Sequence, residues 1–390
     1  MGSSRAAALI ERAKSDTSLD NFGDDSFREG LEILLSSLDA EARLNELGRA
    51  SVDAQIVNFL GFRLQVEDWY ARHPEIDDQE ITAPLIGLGL PRTGSTALGF
   101  LLAEDPNIRF LRNWEAIAPC PPPDIATEAE DPRLAVADAM MERRARLFPR
   151  MAVMLPSTAR GPTECQTFMG HDFKSQLFQA FSTIPTYVDW LNNQADLVPT
   201  YRYVKRVLKL LQWRRPPGRW RLKNPSHSMF IDALDEVFPD ARYWMTHRDI
   251  ASVVPSVCDV YYELSKAYSD HVDKSYLAEQ NADWTETGLR RVMAFRDRGA
   301  DPRFFDIHFA PFQKDPFPTM ERLYAFLGED FTAETRARMQ AWRESTPPPR
   351  EARGLPRSSP AEFGLDIDAL RRRFAFYSDR FGVEQASIPA

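Results

Sequence analysis

Pro84-Leu-Ile-Gly-Leu-Gly-Leu-Pro-Arg-Thr-Gly-Ser-Thr-Ala-Leu98 decides the fold of this chain. A short apolar run passes through glycines and a proline into a helical pattern, so a strand, a tight loop and a helix N-terminus follow one another within about fifteen residues. Gly89 and Gly94 stand five apart, as in G-x-x-x-x-G-K-[ST], and Thr96 occupies the hydroxyl position. The lysine position, however, is Ser95, and the basic residue has moved back to Arg92. Backbone N–H groups from Arg92 to Thr96 would point at an anion, with the helix dipole adding to the attraction. Thr93, Ser95 and Thr96 add hydroxyls, and Arg92 adds a guanidinium fork suited to phosphate or sulfate oxygens. The plainer alternative is a strand-to-helix turn that binds nothing.

Working outward, residues 1–80 read as helices. Phe27–Leu47 and Ala50–Tyr70 space their apolar residues near 3.6, and neither carries a catalytic signature. After the strand Leu85–Leu88 and the helix Gly94–Glu104, a second short strand is expected at Ile108–Leu111. Asn113-Trp-Glu115 and the rigid Pro119-Cys-Pro-Pro-Pro123 follow. Pro132 to Trp213 is helical with proline breaks, the size of a lid inserted between core strands. Its aromatic residues Phe168, Phe173, Phe178, Phe181, Tyr187 and Trp190 suit core packing better than an apolar pocket. The basic face around Tyr203, Lys205, Arg206 and Lys209 reads as a solvated helix surface.

Further strands are expected at Trp220–Pro225, Ala241–Met245 and Arg303–His308, alternating with helices that include His271–Arg298 and a last amphipathic one over Asp366–Phe381. Such alternation predicts an α/β fold with a P-loop-like central parallel sheet flanked by helices. The expected organisation is an N-terminal helical segment over 1–80 packing on an α/β domain over 81–390, with a helical lid insertion at about 120–218.

The 390 residues are 43% hydrophobic, ample for a packed core, and a net charge of −9 argues against a broad nucleic-acid footprint. Cys120, Cys165 and Cys258 are scattered, as are the six histidines, so neither disulfides nor a metal site is expected. No apolar stretch is long enough for a membrane span and no leader is evident, which predicts a cytoplasmic protein.

A second anion-binding group lies far along the chain. Arg248 directly follows a strand, and Ser256 comes eight residues later, about two turns into the next helix. Strand ends of an α/β sheet are where ligands bind. An ion pair of Arg248 with Asp249 or Asp240, and a surface serine, are the bland alternatives.

Together these motifs resemble the sulfotransferases that use 3′-phosphoadenosine 5′-phosphosulfate. Leu88-Gly-Leu-Pro-Arg-Thr-Gly-Ser-Thr96 is similar to the phosphosulfate loops Y-P-K-S-G-T-T of cytosolic members and G-V-P-R-S-G-T-T of tyrosylprotein members. Arg248 with Ser256 resembles the family's 3′-phosphate pair, and Trp220-Arg-Leu-Lys-Asn-Pro-Ser-His227 its strand-end K-T-H or K-S-P-x-H segment. Phe326-Leu-Gly328 and Phe363-Gly-Leu365 look like C-terminal segments of the bacterial branch.

The resemblance implies a sulfuryl transfer from 3′-phosphoadenosine 5′-phosphosulfate to a hydroxyl or amine of a small-molecule, lipid or carbohydrate acceptor, leaving 3′-phosphoadenosine 5′-phosphate. It implies no required metal, and homo-oligomerisation stays open. Arg92, Thr93, Gly94, Ser95, Thr96, Arg248 and Ser256 would bind the donor, with Arg92 and Lys223 neutralising the leaving phosphate oxygen.

Three residues compete for the base. Glu115 leads by its position after the loop, as in tyrosylprotein sulfotransferases. His227 follows Lys223 by four residues instead of the two found in cytosolic members, and Glu164 lies on the lid. Their structural alternatives are, for Glu115, a salt bridge with Arg109 or Arg112 and, for His227, a backbone contact. Ala97 stands where cytosolic members carry a tryptophan, and Arg353-Gly354 only faintly echoes their R-K-G loop. The basic loop Arg350–Arg357 is expected to close over the nucleotide. A P-loop nucleotide kinase or ATPase is the alternative enzyme, opposed by Ser95 at the lysine position, and a non-catalytic nucleotide-binding relative is the alternative binding protein.

Overall fold

The computed structural model describes residues 2–216, 218–346 and 359–387. Three helices come first: α1 (Gly2–Thr17), α2 (Phe27–Ala40) and α3 (Glu46–Arg72). The expected break between the second and third falls earlier, because Asn45 caps α3 by accepting from the Gly48 N–H. Strand β1 (Leu85–Gly87), helix α4 (Ser95–Ala103), strand β2 (Ile108–Phe110) and helix α5 (Asn113–Ile117) follow.

The insertion then runs through α6 (Pro132–Leu147), α7 (Pro149–Met154), α8 (Gln166–Gly170), α9 (Pro185–Asn193) and α10 (Val198–Gln212). Beyond it come β3 (Arg219–Lys223), α11 (Ile231–Val237), β4 (Arg242–His247), α12 (Ile250–Ser265), α13 (Lys274–Phe295) and β5 (Phe304–His308). The chain continues with α14 (Phe309–Lys314), α15 (Phe317–Leu327), α16 (Ala333–Ser345), α17 (Ile367–Arg373) and α18 (Ala375–Phe381). The single last helix expected over Asp366–Phe381 is thus two, broken at the fully buried Phe374 (φ −102°, ψ 15°). No helix among the described residues is long and apolar enough to cross a membrane.

All strands pair in parallel, in the order β2-β3-β1-β4-β5. Successive residues feed opposite faces, as strand geometry requires. Leu85, Trp244 and Ile307 enter one hydrophobic cluster with α4 and α15, whereas Ile86, Tyr243 and Met245 enter a larger one with the N-terminal helices, the insertion and α12–α13. Burial of both faces explains why the strands read as apolar runs rather than alternating ones. The six aromatic residues singled out in the insertion all belong to the larger cluster.

Strand β1 sits centrally, with Gly87 opposite Lys223 on one side and Trp244 on the other. A Cβ at Gly87 would lie 2.1 Å from the Trp244 indole, so only glycine lets that ring cross the strand. The chain leaves β1 toward β2 on one side and reaches β4 on the other, which opens a crevice outside the C-terminal ends of β1, β3 and β4.

Candidate active site

The loop between β1 and α4 turns back on itself through Arg92, at φ +65°, and Gly94, at φ +84°. A left-handed glycine at the helix entrance carries no side chain to cap α4, leaving the first-turn amides aimed outward. Thr93 is fully buried and spends its hydroxyl on the Leu90 carbonyl and the Thr246 hydroxyl, fastening the loop to β4. Its contribution is therefore the backbone placement of its neighbours. Ser95 is buried in the first turn of α4. Thr96 lines a small crevice of about 30 Å³ together with Lys223, so α4 and the end of β3 face the same space.

Across the crevice the loop meets the end of β4. Arg248 Nη1 donates to the Arg92 carbonyl at 2.7 Å, and Arg92 Nε donates to Ser256 Oγ at 3.0 Å. Arg92 Nη1 also donates to the Met154 carbonyl at 2.6 Å, where α7 of the insertion ends. Residues 164 positions apart thus form one cationic cluster with a serine hydroxyl at its edge. Phe309, the first residue after β5, lies with its ring 4.3 Å from the Arg248 guanidinium. Sequence reading passed over Phe309, although it obeys the same strand-end rule that drew attention to Arg248.

At the end of β3, Lys223 Nζ donates to Glu164 Oε1 at 2.7 Å. The insertion is tied to the strand at this point, since the Cys165 N–H donates to the Lys223 carbonyl. Both side chains keep solvent access, Glu164 at 33% and Lys223 at 15%.

Glu115 and His227 are placed differently. Glu115 stands in the first turn of α5 and is 0% exposed. Its Oε2 accepts from the Arg112 N–H at 3.0 Å, and its Oε1 accepts from Arg112 Nη2 at 2.6 Å and from Arg109 Nη2. Burial alone would raise its carboxyl, but the two guanidiniums override that and hold it at about 2. A buried carboxylate with three donors already seated and its carboxyl held low is a poor proton acceptor, at odds with the expectation that it leads as base.

His227 is 1% exposed, in the turn Pro225–Ser228 that Asn224 caps, and its Nδ1 lies 2.9 Å from the Tyr201 hydroxyl. Burial draws its imidazole down to about 3, so it is neutral at pH 7. The loop Arg350–Arg357, with Arg353 and Gly354, lies outside the described residues.

Comparison with known proteins bears on the family and the fold. Residues 84–333 match the profile of the sulfotransferase family. The chain is similar to the solved structure of sulfotransferase STF9 from Mycobacterium avium, at 34% identity over 97% of both chains with a TM-score of 0.89. Sulfotransferase STF1 from Mycobacterium tuberculosis H37Rv is similar at 29% identity, over 95% of this chain and 98% of that one, with a TM-score of 0.84. No curated protein matches the chain.

Proposed function

The chain belongs to the sulfotransferase family, and from that premise we propose that it moves a sulfuryl group from 3′-phosphoadenosine 5′-phosphosulfate to a hydroxyl or amine of a small-molecule, lipid or carbohydrate acceptor. The observation that carries the donor assignment is the convergence of Arg92, Arg248 and Ser256 beside an uncapped helix N-terminus. One end of that cluster suits a 5′-phosphosulfate and the other a 3′-phosphate, the two anionic groups that distinguish this donor. The donor supplies a sulfur atom bonded through oxygen to a phosphate, which leaves with the electron pair.

Each residue then has a distinct task. The loop amides, Ser95 and Thr96 seat the 5′ group, with Thr93 pinning the loop. Arg248 and Ser256 hold the 3′-phosphate, and the Phe309 ring gives an aromatic wall at that end. Arg92 and Lys223 neutralise the oxygen that departs as the bond from sulfur to it breaks and the bond from the acceptor to sulfur forms.

The acceptor's proton goes to Glu164. Of the three candidate bases it alone combines solvent access with a partner at the site, the 2.7 Å contact to Lys223. When Lys223 turns to the leaving oxygen, Glu164 is released to accept a proton, so one ion pair supplies both the cation and the base.

The test is acceptor-dependent formation of 3′-phosphoadenosine 5′-phosphate across a panel of phenols, sterols, amines and sugars, with Glu164→Gln alongside. Turnover that Glu164→Gln removes, with binding of the product nucleotide retained, is expected. Wild-type binding of 3′-phosphoadenosine 5′-phosphate no tighter than of adenosine 5′-phosphate would overturn the donor assignment. Full turnover by Glu164→Gln would overturn the base.

A further inference from the structure

The three residues at the end of β4, His247, Arg248 and Asp249, are each gripped from the far C-terminal end of the chain. The Arg248 N–H donates to the Tyr377 hydroxyl at 3.3 Å, and that hydroxyl lies 3.2 Å from His247 Nδ1. His247 Nε2 lies 2.8 Å from Asp306 Oδ1, and Arg296 pairs with both oxygens of Asp306, at 2.8 and 2.7 Å. Asp249 Oδ2 accepts from Arg371 Nη2 at 2.8 Å and from the Ala386 N–H at 2.9 Å. These partners come from β5, the end of α13, α17, α18 and the segment after it, none of which carries a residue assigned to the chemistry apart from Phe309 beyond β5.

The directions of these bonds form one consistent chain. Burial would push the Asp306 carboxyl up, but Arg296 and His247 hold it well below the usual carboxylate range, so it is an acceptor only. Burial lowers the His247 imidazole, so it is neutral at pH 7; Nε2, facing Asp306, carries the hydrogen and Nδ1 is left with a lone pair. The Tyr377 hydroxyl donates to that lone pair, which turns its oxygen toward the Arg248 N–H. His247 is fully buried, and its ring stacks on Phe381 at 4.4 Å between centroids. Tyr377 is likewise fully buried. Removing its hydroxyl would take this bond from the N–H of the residue whose guanidinium sits in the cluster, while leaving the ring packing in place.

We propose that the C-terminal helices α17 and α18 are a positioning element for donor recognition, in which Tyr377 and Arg371 fix the backbone of His247–Asp249 and so aim Arg248 at the 3′-phosphate. This rests on the reading of Arg248 as the 3′-phosphate ligand. Tyr377 touches neither donor nor acceptor, and acts through Arg248.

The experiment compares calorimetric affinities for 3′-phosphoadenosine 5′-phosphate and adenosine 5′-phosphate, which differ only in the 3′-phosphate, on the full chain. A wild-type preference for the bisphosphate tests Arg248's role itself. Without that preference the donor reading fails, and this inference falls with it. Given the preference, Tyr377→Phe is expected to shrink it by about three- to tenfold, the value of one hydrogen bond, with adenosine 5′-phosphate affinity unchanged.

Phe381→Leu, which loosens the same packing but leaves every bond of the chain, is expected to lower the melting midpoint without altering the preference. A Tyr377→Phe protein that keeps the full preference, or loses affinity for both nucleotides alike, would overturn the positioning role. Should Tyr377→Phe fail to fold, Arg371→Gln, at a partly exposed side chain, carries the same readout through Asp249 with the same two outcomes.

Discussion

Replacing Glu115 by glutamine separates a buried structural carboxylate from a catalytic one. The wild-type side chain is fully buried and accepts three hydrogen bonds, two of them from guanidiniums. Glutamine offers one acceptor oxygen, and its amide nitrogen cannot accept from either Arg112 or Arg109. The folded carboxyl stands at about 2 against an ordinary 4.5, a difference of roughly 3 kcal/mol at 1.36 kcal/mol per tenfold. Breaking one side of a buried ion pair costs about 3–5 kcal/mol, which agrees. Arginine stays charged, so Arg109 and Arg112 are left charged in the interior, with Glu128 still paired to Arg112.

The pH dependence has a fixed sign. A carboxyl held below its unfolded value stabilises fully above that value, and the contribution is lost as pH falls from about 4.5 toward 2. Urea unfolding at pH 6 to 8 is expected to show Glu115→Gln about 3 kcal/mol less stable than wild type, with the gap narrowing below pH ~4.5. Turnover per folded molecule is expected to fall little. Equal urea midpoints at pH 7 together with a collapse of kcat would refute the reasoning and return Glu115 to the role of base.

Arg92→Ala is expected to lower kcat by about 10²- to 10³-fold with little change in melting midpoint, and unchanged turnover would remove Arg92 from leaving-group stabilisation. His227 stands at about 3 when folded against 6.5 when unfolded, so the unfolded state gains protons first and the wild type loses stability as pH drops through 6.5. Urea titrations of His227→Gln at pH 7 and 5 should show a loss about 2 kcal/mol smaller than that of wild type, and equal losses would mean that the imidazole is not buried neutral. Gly87→Ala drives a methyl into the Trp244 indole and is expected to cost about 1–3 kcal/mol in denaturant unfolding; a wild-type midpoint would reveal slack between β1 and β4.

The meeting of the β1–α4 loop with the end of β4 was legible because a strand end followed by a glycine loop or a helix leaves spacing in the sequence. Arg92, Arg248 and Ser256 were expected at one site from the family resemblance, and they are hydrogen-bonded together. The base could not, because its assignment depends on which carboxylate is already engaged. Glu115 accepts from Arg109 and Arg112, six and three residues earlier, and α5, in whose first turn it stands, is preceded by an arginine, which hides the usual start signal. Glu164 gives no sequence signal of its own, since no periodicity in the lid reveals that it touches the end of β3. The division of the last helix was hidden for a related reason: Phe374 is neither glycine nor proline, and packing rather than local preference bends the chain there.

Placing β1 at the centre of the sheet also sets the order in which the molecule can assemble. Its neighbours are β3 and β4, at residues 219–223 and 242–247, so a nascent chain that has delivered the loop still lacks both flanking strands. Leu85 and Ile86 then wait with unpaired backbone through the synthesis of the entire insertion, a long-range pairing of the kind that slows folding and exposes sticky edges. The helices at 1–80 and the insertion can begin burying apolar surface meanwhile, but the crevice has no floor until β4 arrives. Its final shape comes later still, when α17 and α18 fold back over the strand end. The crevice is therefore complete only once α17 and α18 are in place beside β4.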